Sequence, residues 1–575
     1  MQKILKTLKW AGVFLYFSLL IIGMTYPLIL KMDHAIIGEI GDNIYFVWMI
    51  GWMKKALFDL HTNPFNVWFL NYPEGWNMAY TEITPIMLAL AMPFTFVGGA
   101  TFGYNAAMLL TFILAGLFMT VWIKHLTGRM DAALIGGTIY AFVPYHFAHF
   151  LIGHLNQSGI QWFPLFFMGL YDMLKEPVLA NGKINWKSGL LAGISLGLIA
   201  WTSQYYLYMT FFISLVFIIG YPLITGWRKM LGWPYWKNLL VLGGSALPLV
   251  GIAVLPYVTL AQSGGLPDRS IGITEMYSAS PTDFVLPSTL HPLWGQWVGA
   301  TFNRDMWIEG TLYIGIIAFI LALTAVLGLR KSQHRPLIIL AVTAALLAVL
   351  LAMGIDLHWN GQAVKVSLPF LMNGQPVPIP LPGYFLFKYF PLFAKLRALM
   401  RFGVFTLVMT GLLAGLGASW FLERFKPRWQ PLVCVFIILL VLVDFSPRPF
   451  TQFSEVSARP LDAWLAAQPG DGALIQLPID ESDDQQQTYN TLTHGKPFVG
   501  GFFNAFPPAQ YGRIRPTLET FPDRAGIDLL KDLGVEYILV DIKAYSNPEL
   551  VKQQCLDLGL TLRTEMDGQW VFGWR

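Results

Sequence analysis

Charge is scarce in this chain. Asp, Glu, Lys and Arg make up 13% of its 575 residues and hydrophobic residues 55%, where a soluble domain carries about 25% charged residues. The net charge of +4 is small and scattered, which gives no surface for a nucleic-acid partner. Cysteine is nearly absent. Cys434 lies in an apolar run and Cys555 in a polar terminal region, which excludes a disulfide framework and a cysteine-based metal site. There is no internal repeat, and no matched pair of Gly/Pro-broken helices of the kind secondary transporters use. Ionisable residues are sparse inside the apolar runs; Asp172 and Asp444 sit near run ends. A pump or ion carrier keeps such groups at membrane depth.

What the chain has is long apolar runs, separated by short basic loops, up to about residue 446. A membrane-spanning helix needs about 20 mostly apolar residues. The N-terminus is basic and precedes such a run, with no small-residue cleavage site after it, so it reads as an uncleaved first span. Cytoplasmic loops concentrate Lys and Arg. Placing Lys3/Lys6/Lys9, Lys124/Arg129, Lys175/Lys183/Lys187, Arg228/Lys229/Lys237, Arg330/Lys331/Arg335 and Arg424/Lys426/Arg428 inside gives one path. Its spans fall near 10–30, 104–124, 131–148, 159–174, 188–202, 207–225, 238–258, 309–329, 336–354, 402–422 and 430–446. The short stretch 84–98, with Pro85 and Pro93, and an amphipathic helix over 43–60 are assigned to the outer surface.

The fold expected is therefore an all-α polytopic membrane protein of about eleven spans in residues 1–446, N-terminus inside, followed by an extracytoplasmic α/β domain over 447–575. In the latter, 473–478 and 535–540 read as strands and 526–533 as a helix. The bacterial-type plasma (inner) membrane is the expected location.

Chemistry concentrates in the outer loops 31–103, 145–158, 259–308 and 355–401. Asp42 follows Gly41 at the start of the surface helix. It can cap that helix, and a carboxylate fixed there can also act as a general base. Glu82 is a second carboxylate in the same loop and reads equally as a solvated residue. The run 145–158 carries His146, His149, His154, Asn156 and Gln157. Those side chains can contact a phosphate or a sugar hydroxyl, or serve as interfacial structural groups. The spacing of His149 and His154 does not place two imidazoles on one helical face, and no adjacent carboxylate completes a metal site. Arg397 and Arg401 are four apart, so on a helix they share a face and their guanidinium forks suit a phosphate; snorkelling to lipid headgroups is the competing reading. In the loop 259–308, Glu275 and Arg304 are weaker candidates for facing a cavity.

Taken together, Gly41-Asp42 in a large first outer loop, the helices after it, the Lys124-to-Arg129 turn, Tyr145 to Pro164, Arg397 to Phe402 and His494-Gly495-Lys496-Pro497 resemble the glycosyltransferase C (GT-C) superfamily of multi-span enzymes that use lipid-phosphate sugars. The resemblance implies a membrane glycosyltransferase working on the outer face. A sugar leaves a polyprenyl phosphate with inversion, for a lipid, glycan or protein acceptor. Asp42 matches the superfamily's first-loop catalytic acid. Arg397, Arg401, His149, His154, Asn156, Gln157 and Glu82 become the substrate-binding candidates. The chain lacks the Asp-x-Asp of oligosaccharyltransferases in its loops, so no metal cofactor is implied. The rival classes are a lipid or polysaccharide transporter and a non-catalytic membrane scaffold.

Overall fold

The computed structural model describes residues 2–175, 184–262, 264–303, 305–367, 375–503 and 507–574. Among these, seven helices are long and apolar enough to cross a membrane: Thr7–Met24, Pro85–Thr127, Gln204–Thr225, Trp233–Gln262, Arg335–Ala352, Leu399–Leu422 and Pro427–Phe445. Four helices in the positions of expected spans are shorter. Met130–Ala141, Phe163–Leu174 and Ile316–Leu327 have 12 residues each and Trp186–Thr202 has 17. The expected span 131–148 is interrupted at Phe142, and the chain restarts as a separate helix at Pro144, whose ring cannot continue the hydrogen-bond ladder. Pro164 sits in the first turn of Phe163–Leu174, where a missing N–H costs nothing. Helix Pro85–Thr127 is broken at Gly99, whose φ of 84° lies outside helical space, so the 84–98 stretch and the span after it are distinct segments.

The chain divides into two compact units: Met1–Tyr26 with Met108–Leu151 and Asn156–Phe450, and Pro27–Ala107 with Ile152–Leu155 and Thr451–Arg575. The first unit is built around helix Gly403–Leu422, buried along nearly its whole length. Small residues let neighbours approach it. A Cβ on Gly136 would stand 2.9 Å from the carbonyl oxygen of Gly411 and 3.0 Å from Cα of Gly415. Gly417 similarly faces the carbonyl of Leu321 in helix Ile316–Leu327. Such contacts replace hydrophobic drive in an apolar medium, where lipid offers the same surface as leucine. Asp444 satisfies backbone at the start of Ile316–Leu327: its Oδ1 accepts from the Tyr313 hydroxyl at 2.8 Å and its Oδ2 from the Ile317 N–H at 3.3 Å.

The second unit joins three distant pieces of sequence. Its four-stranded sheet has the order Leu560–Met566, Gln569–Trp574, Val535–Asp541, Ala473–Leu477. The last two strands run parallel and the others antiparallel. The strands and the helix Arg524–Asp532 stand where the sequence places them; the closing hairpin 560–574 was not anticipated. Strand Ala35–Ile37 of the first loop pairs antiparallel with Phe453–Glu455. Helix Asp42–Lys54 is buried on almost every face. The amphipathic surface helix expected there is thus corrected: Trp48 donates to Thr491 at 3.3 Å, Tyr45 packs edge-on against Phe502, and Gly51 lies under Leu492, so the C-terminal piece covers what would have been its wet face.

Candidate functional site

Asp42 is the first residue of helix Asp42–Lys54, and Gly41 holds the cap position. The capping chemistry belongs to Asn43. Its Oδ1 accepts from the N–H of Gly41 at 2.9 Å and of Ile44 at 2.8 Å, and its Nδ2 donates to the Glu39 carbonyl at 2.7 Å. The capping role expected for Asp42 is therefore corrected, because its neighbour already fills it. The Asp42 carboxylate faces His154 instead, with Oδ2 3.1 Å from Nε2 and side chains 27% and 16% exposed. Gly153 makes this possible. Its φ is 83°, and a Cβ there would stand 2.3 Å from Cβ of Asn43 and 2.5 Å from its backbone nitrogen. Only glycine lets the 152–155 turn lie on the start of this helix.

A positioned carboxylate hydrogen-bonded to an imidazole is a general-base arrangement, and the helix N-terminus attracts its negative charge. Glu82 is half-buried. Burial pushes the Tyr45 hydroxyl above its ordinary pKa, its bond to Thr81 works against that, and the charges of Glu82 and then Asp42 push it further up. Both carboxylates therefore act on one phenol.

Within the first unit, Arg401 is buried and engages Glu309 through both forks, Nε at 3.0 and 3.1 Å from the two oxygens and Nη2 at 2.6 Å. His149, fully buried, lies with Nε2 3.8 Å from Glu309 Oε2. The Arg401 guanidinium stacks over Tyr205 at 4.9 Å. Tyr145 packs its ring against His149 and brings its hydroxyl 2.9 Å from that of Tyr206, which donates to the Gln157 carbonyl at 2.6 Å. Asn156 Oδ1 accepts from the Gln157 N–H. The Gln157 amide donates weakly to Ser203 at 3.4 Å, and its buried Oε1 has no hydrogen-bond partner among the described residues. His149, Asn156 and Gln157 thus belong to one polar cluster in apolar surroundings. His146 is separate and structural, stacked on Phe112 with Nε2 2.8 Å from Thr111.

The shared helical face expected for Arg397 and Arg401 is corrected. Arg397 lies in a bend and Arg401 in the short 3-10 turn Leu399–Phe402. Arg397 is half-buried, stacks over Tyr277 at 5.1 Å, and has no ion pair among the described residues. Glu309 is the residue that sequence reasoning undervalued. The available signal was a lone acid at the head of an apolar run, in a chain with two arginines on the same expected side. Arg304 and Lys183 lie outside the described residues. The His494-to-Pro497 motif is structural: His494 is buried, which lowers its pKa to about 3, and Lys496 donates to the carbonyls of Gln468 and Gly470.

A family profile described as "Domain of unknown function (DUF6311)" matches residues 18–374. A search of curated proteins finds no match. Among solved structures, the arabinofuranosyltransferase AftD from Mycobacteria superposes with a TM-score of 0.53 at 14% identity, covering 98% of this chain and 40% of that one. A mutant form of AftD gives 0.56 at 13% identity, with 98% and 41% covered. ArnT from Cupriavidus metallidurans, bound to undecaprenyl phosphate, gives 0.49 at 13% identity, with 98% of each chain covered. The chain thus spans about two fifths of the length of AftD. At this identity the likeness is one of fold. The expected resemblance holds: this is a polytopic membrane protein with the GT-C glycosyltransferase fold.

Proposed function

The chain belongs to the DUF6311 family, and we propose that it is a membrane glycosyltransferase that moves a sugar from a polyprenyl-phosphate donor to an acceptor on the outer face of the membrane. The observation that carries this reading is the Asp42–His154 pair at 3.1 Å, a base and its orienting partner on a GT-C fold. Asp42 removes the proton from the acceptor hydroxyl as that oxygen attacks the anomeric carbon. The C–O bond to the phosphate breaks on the opposite face, so configuration inverts, and the electron pair leaves with the phosphate. The positive charge for the leaving group falls mainly to Arg397, because Arg401 is already matched by Glu309 and a paired guanidinium has less charge to offer. Glu82, His149, Asn156 and Gln157 are assigned to holding donor or acceptor hydroxyls.

The reading needs no metal for the transfer. The Glu309 carboxylate is occupied by Arg401 on both oxygens, and a divalent ion there would have to displace a guanidinium. The N-in, C-out path with about eleven spans completes the proposal.

The test is transfer of a labelled lipid-phosphate sugar by purified protein in lipid. Asp42→Asn keeps the size of the side chain and leaves the Asn43 cap intact. It should melt like wild type and lose on the order of 10²–10⁴ in rate, the usual contribution of a general base. Full activity in that variant would refute the assignment of the base, and no transfer by the wild-type protein from any polyprenyl-phosphate sugar would refute the enzyme.

A further inference from the structure

A polar cavity of about 210 Å³ opens in the first unit, at the end of helix Gly403–Leu422 away from Arg401. That helix has 20 residues, about 30 Å of axis, so the cavity and the Arg401–Glu309 pair lie about one hydrocarbon thickness apart. The volume equals that of about seven waters at about 30 Å³ each, room for a small headgroup.

The elements around the cavity divide its charge. Three helices end there, at Thr127, Leu327 and Leu422, and one begins, at Arg335. Helix C-termini carry partial negative charge and an N-terminus partial positive charge. Full charges repeat that division. Glu423 lines the cavity just past Leu422; its side chain is 61% exposed and reaches Arg129 only at 4.0 Å. Lys331 lines it shortly before Arg335 and has no ion pair among the described residues. His334 adds no charge at neutral pH, because burial and then the Lys175 charge lower its pKa, against a bond to backbone at Leu126. Two hydroxyls stand ready. Ser419 is 9% exposed, lines the cavity, and makes no side-chain hydrogen bond among the described residues. Ser332 Oγ accepts from the His334 N–H at 3.1 Å, which leaves its own proton to donate.

A lone anion would meet Glu423 and three carbonyl-rich helix ends, and a lone cation would meet Lys331. A ligand that carries both charges satisfies each side. A quaternary ammonium needs an aromatic cage. Trp420 is the one aromatic among the described lining residues, and the Arg424 guanidinium already lies 3.8 Å from its ring centroid. A primary ammonium, with three N–H donors, suits the carboxylate and the carbonyls instead.

We propose that this cavity binds a phosphoethanolamine headgroup. Its phosphate lies toward Lys331, Ser332 and the start of helix Arg335–Ala352, and its ammonium toward Glu423 and the helix end at Leu422. Pockets between spans at a membrane face are a general mode of headgroup recognition. The site does not rest on the transfer chemistry.

The experiment uses full-length protein, delipidated in detergent and titrated with phosphatidylethanolamine, phosphatidylcholine or phosphatidylglycerol, with bound lipid counted by native mass spectrometry. Wild type should hold one phosphatidylethanolamine at least tenfold more tightly than either other lipid. Glu423→Gln should erase the preference over phosphatidylglycerol, and Lys331→Met should weaken phosphatidylethanolamine at least tenfold. Lys426→Met, at an exposed lysine outside the cavity, should change nothing. All three positions are exposed, so each variant should melt like wild type without lipid, which separates loss of the site from loss of the fold. Soluble O-phosphoethanolamine distinguishes the source. Displacement of the lipid by it supports recognition of the headgroup alone, free or lipid-borne; no displacement, with both cavity variants still weakened, supports a site for the lipid. Equal retention of the three lipids, or phosphatidylethanolamine retention unchanged in both Glu423→Gln and Lys331→Met, would overturn the proposal.

Discussion

Asp484 shows how burial can dominate a residue's chemistry. It is 3% exposed, and burial first, then the neighbouring charges of Asp483 and Asp480, raises its pKa to about 8 against the pull of the Tyr511 hydroxyl and Arg515. In the unfolded chain an aspartate loses its proton near pH 4. Between those values the folded protein holds a proton that the unfolded chain lacks, so stability is full below about pH 4 and falls as pH rises through 8. The slope is on the order of 1 kcal/mol per pH unit in that window. Asp484→Asn can still accept from Tyr511. It should flatten the denaturation midpoint between pH 5 and 8 and raise it at pH 8; a wild-type midpoint that rises over this range would show the carboxyl to be ionised. Nothing in the local sequence announces this residue, because its environment comes from Gly500 and Tyr511, well away along the chain. Asp42 was legible because it stands beside Gly41 just after an apolar run. The cap assignment failed because two adjacent polar residues, Asp42 and Asn43, compete for one role and only the backbone path decides between them.

At the scale of elements, the turn 152–155 and the start of helix Asp42–Lys54 behave as one piece. Gly153→Ala would place a methyl within 2.5 Å of Asn43 backbone atoms while forcing a non-glycine residue to φ 83°. The conformational strain alone is about 1–2 kcal/mol. The turn should move away and carry His154 with it. Asp42 would then lose its partner while the Asn43 cap persists. The expected result is a loss of transfer with little change in the helical circular dichroism, whereas His154→Ala should lose a similar amount without the strain. Equal activity of Gly153→Ala and wild type would mean that the pairing has no functional weight. Strand and helix positions in 473–540 could be read locally because their apolar periodicity is strong. The proximity of residue 153 to residue 43 could not, since a lone glycine followed by His154 and Leu155 has no periodic signature.

For the whole molecule, the apolar runs reveal a polytopic membrane protein, but not how the polar regions assemble. The linear expectation separates a first loop, 31–103, from a terminal domain beginning at 447, whereas the compact unit contains both. Their pairing is held by contacts that no local pattern encodes. Trp48 reaches Thr491 across 443 positions, Gln510 donates to the carbonyls of Asn71 and Tyr72, and Phe498 N–H donates to Phe69 O at 2.7 Å. A chain ending at Phe450 would strip strand Ala35–Ile37 of its partner. It would also uncover Tyr45 and Trp48, now at most 2% exposed, and each such side chain contributes about 2–3 kcal/mol when buried. The first loop should then open to protease within 60–82 while the helices of the other unit stay protected, and transfer should be lost although Asp42 and His154 are both present. Protease resistance of that loop in the shortened chain would show that residues 27–107 fold without the C-terminal piece, and would leave the terminal region without a part in positioning Asp42.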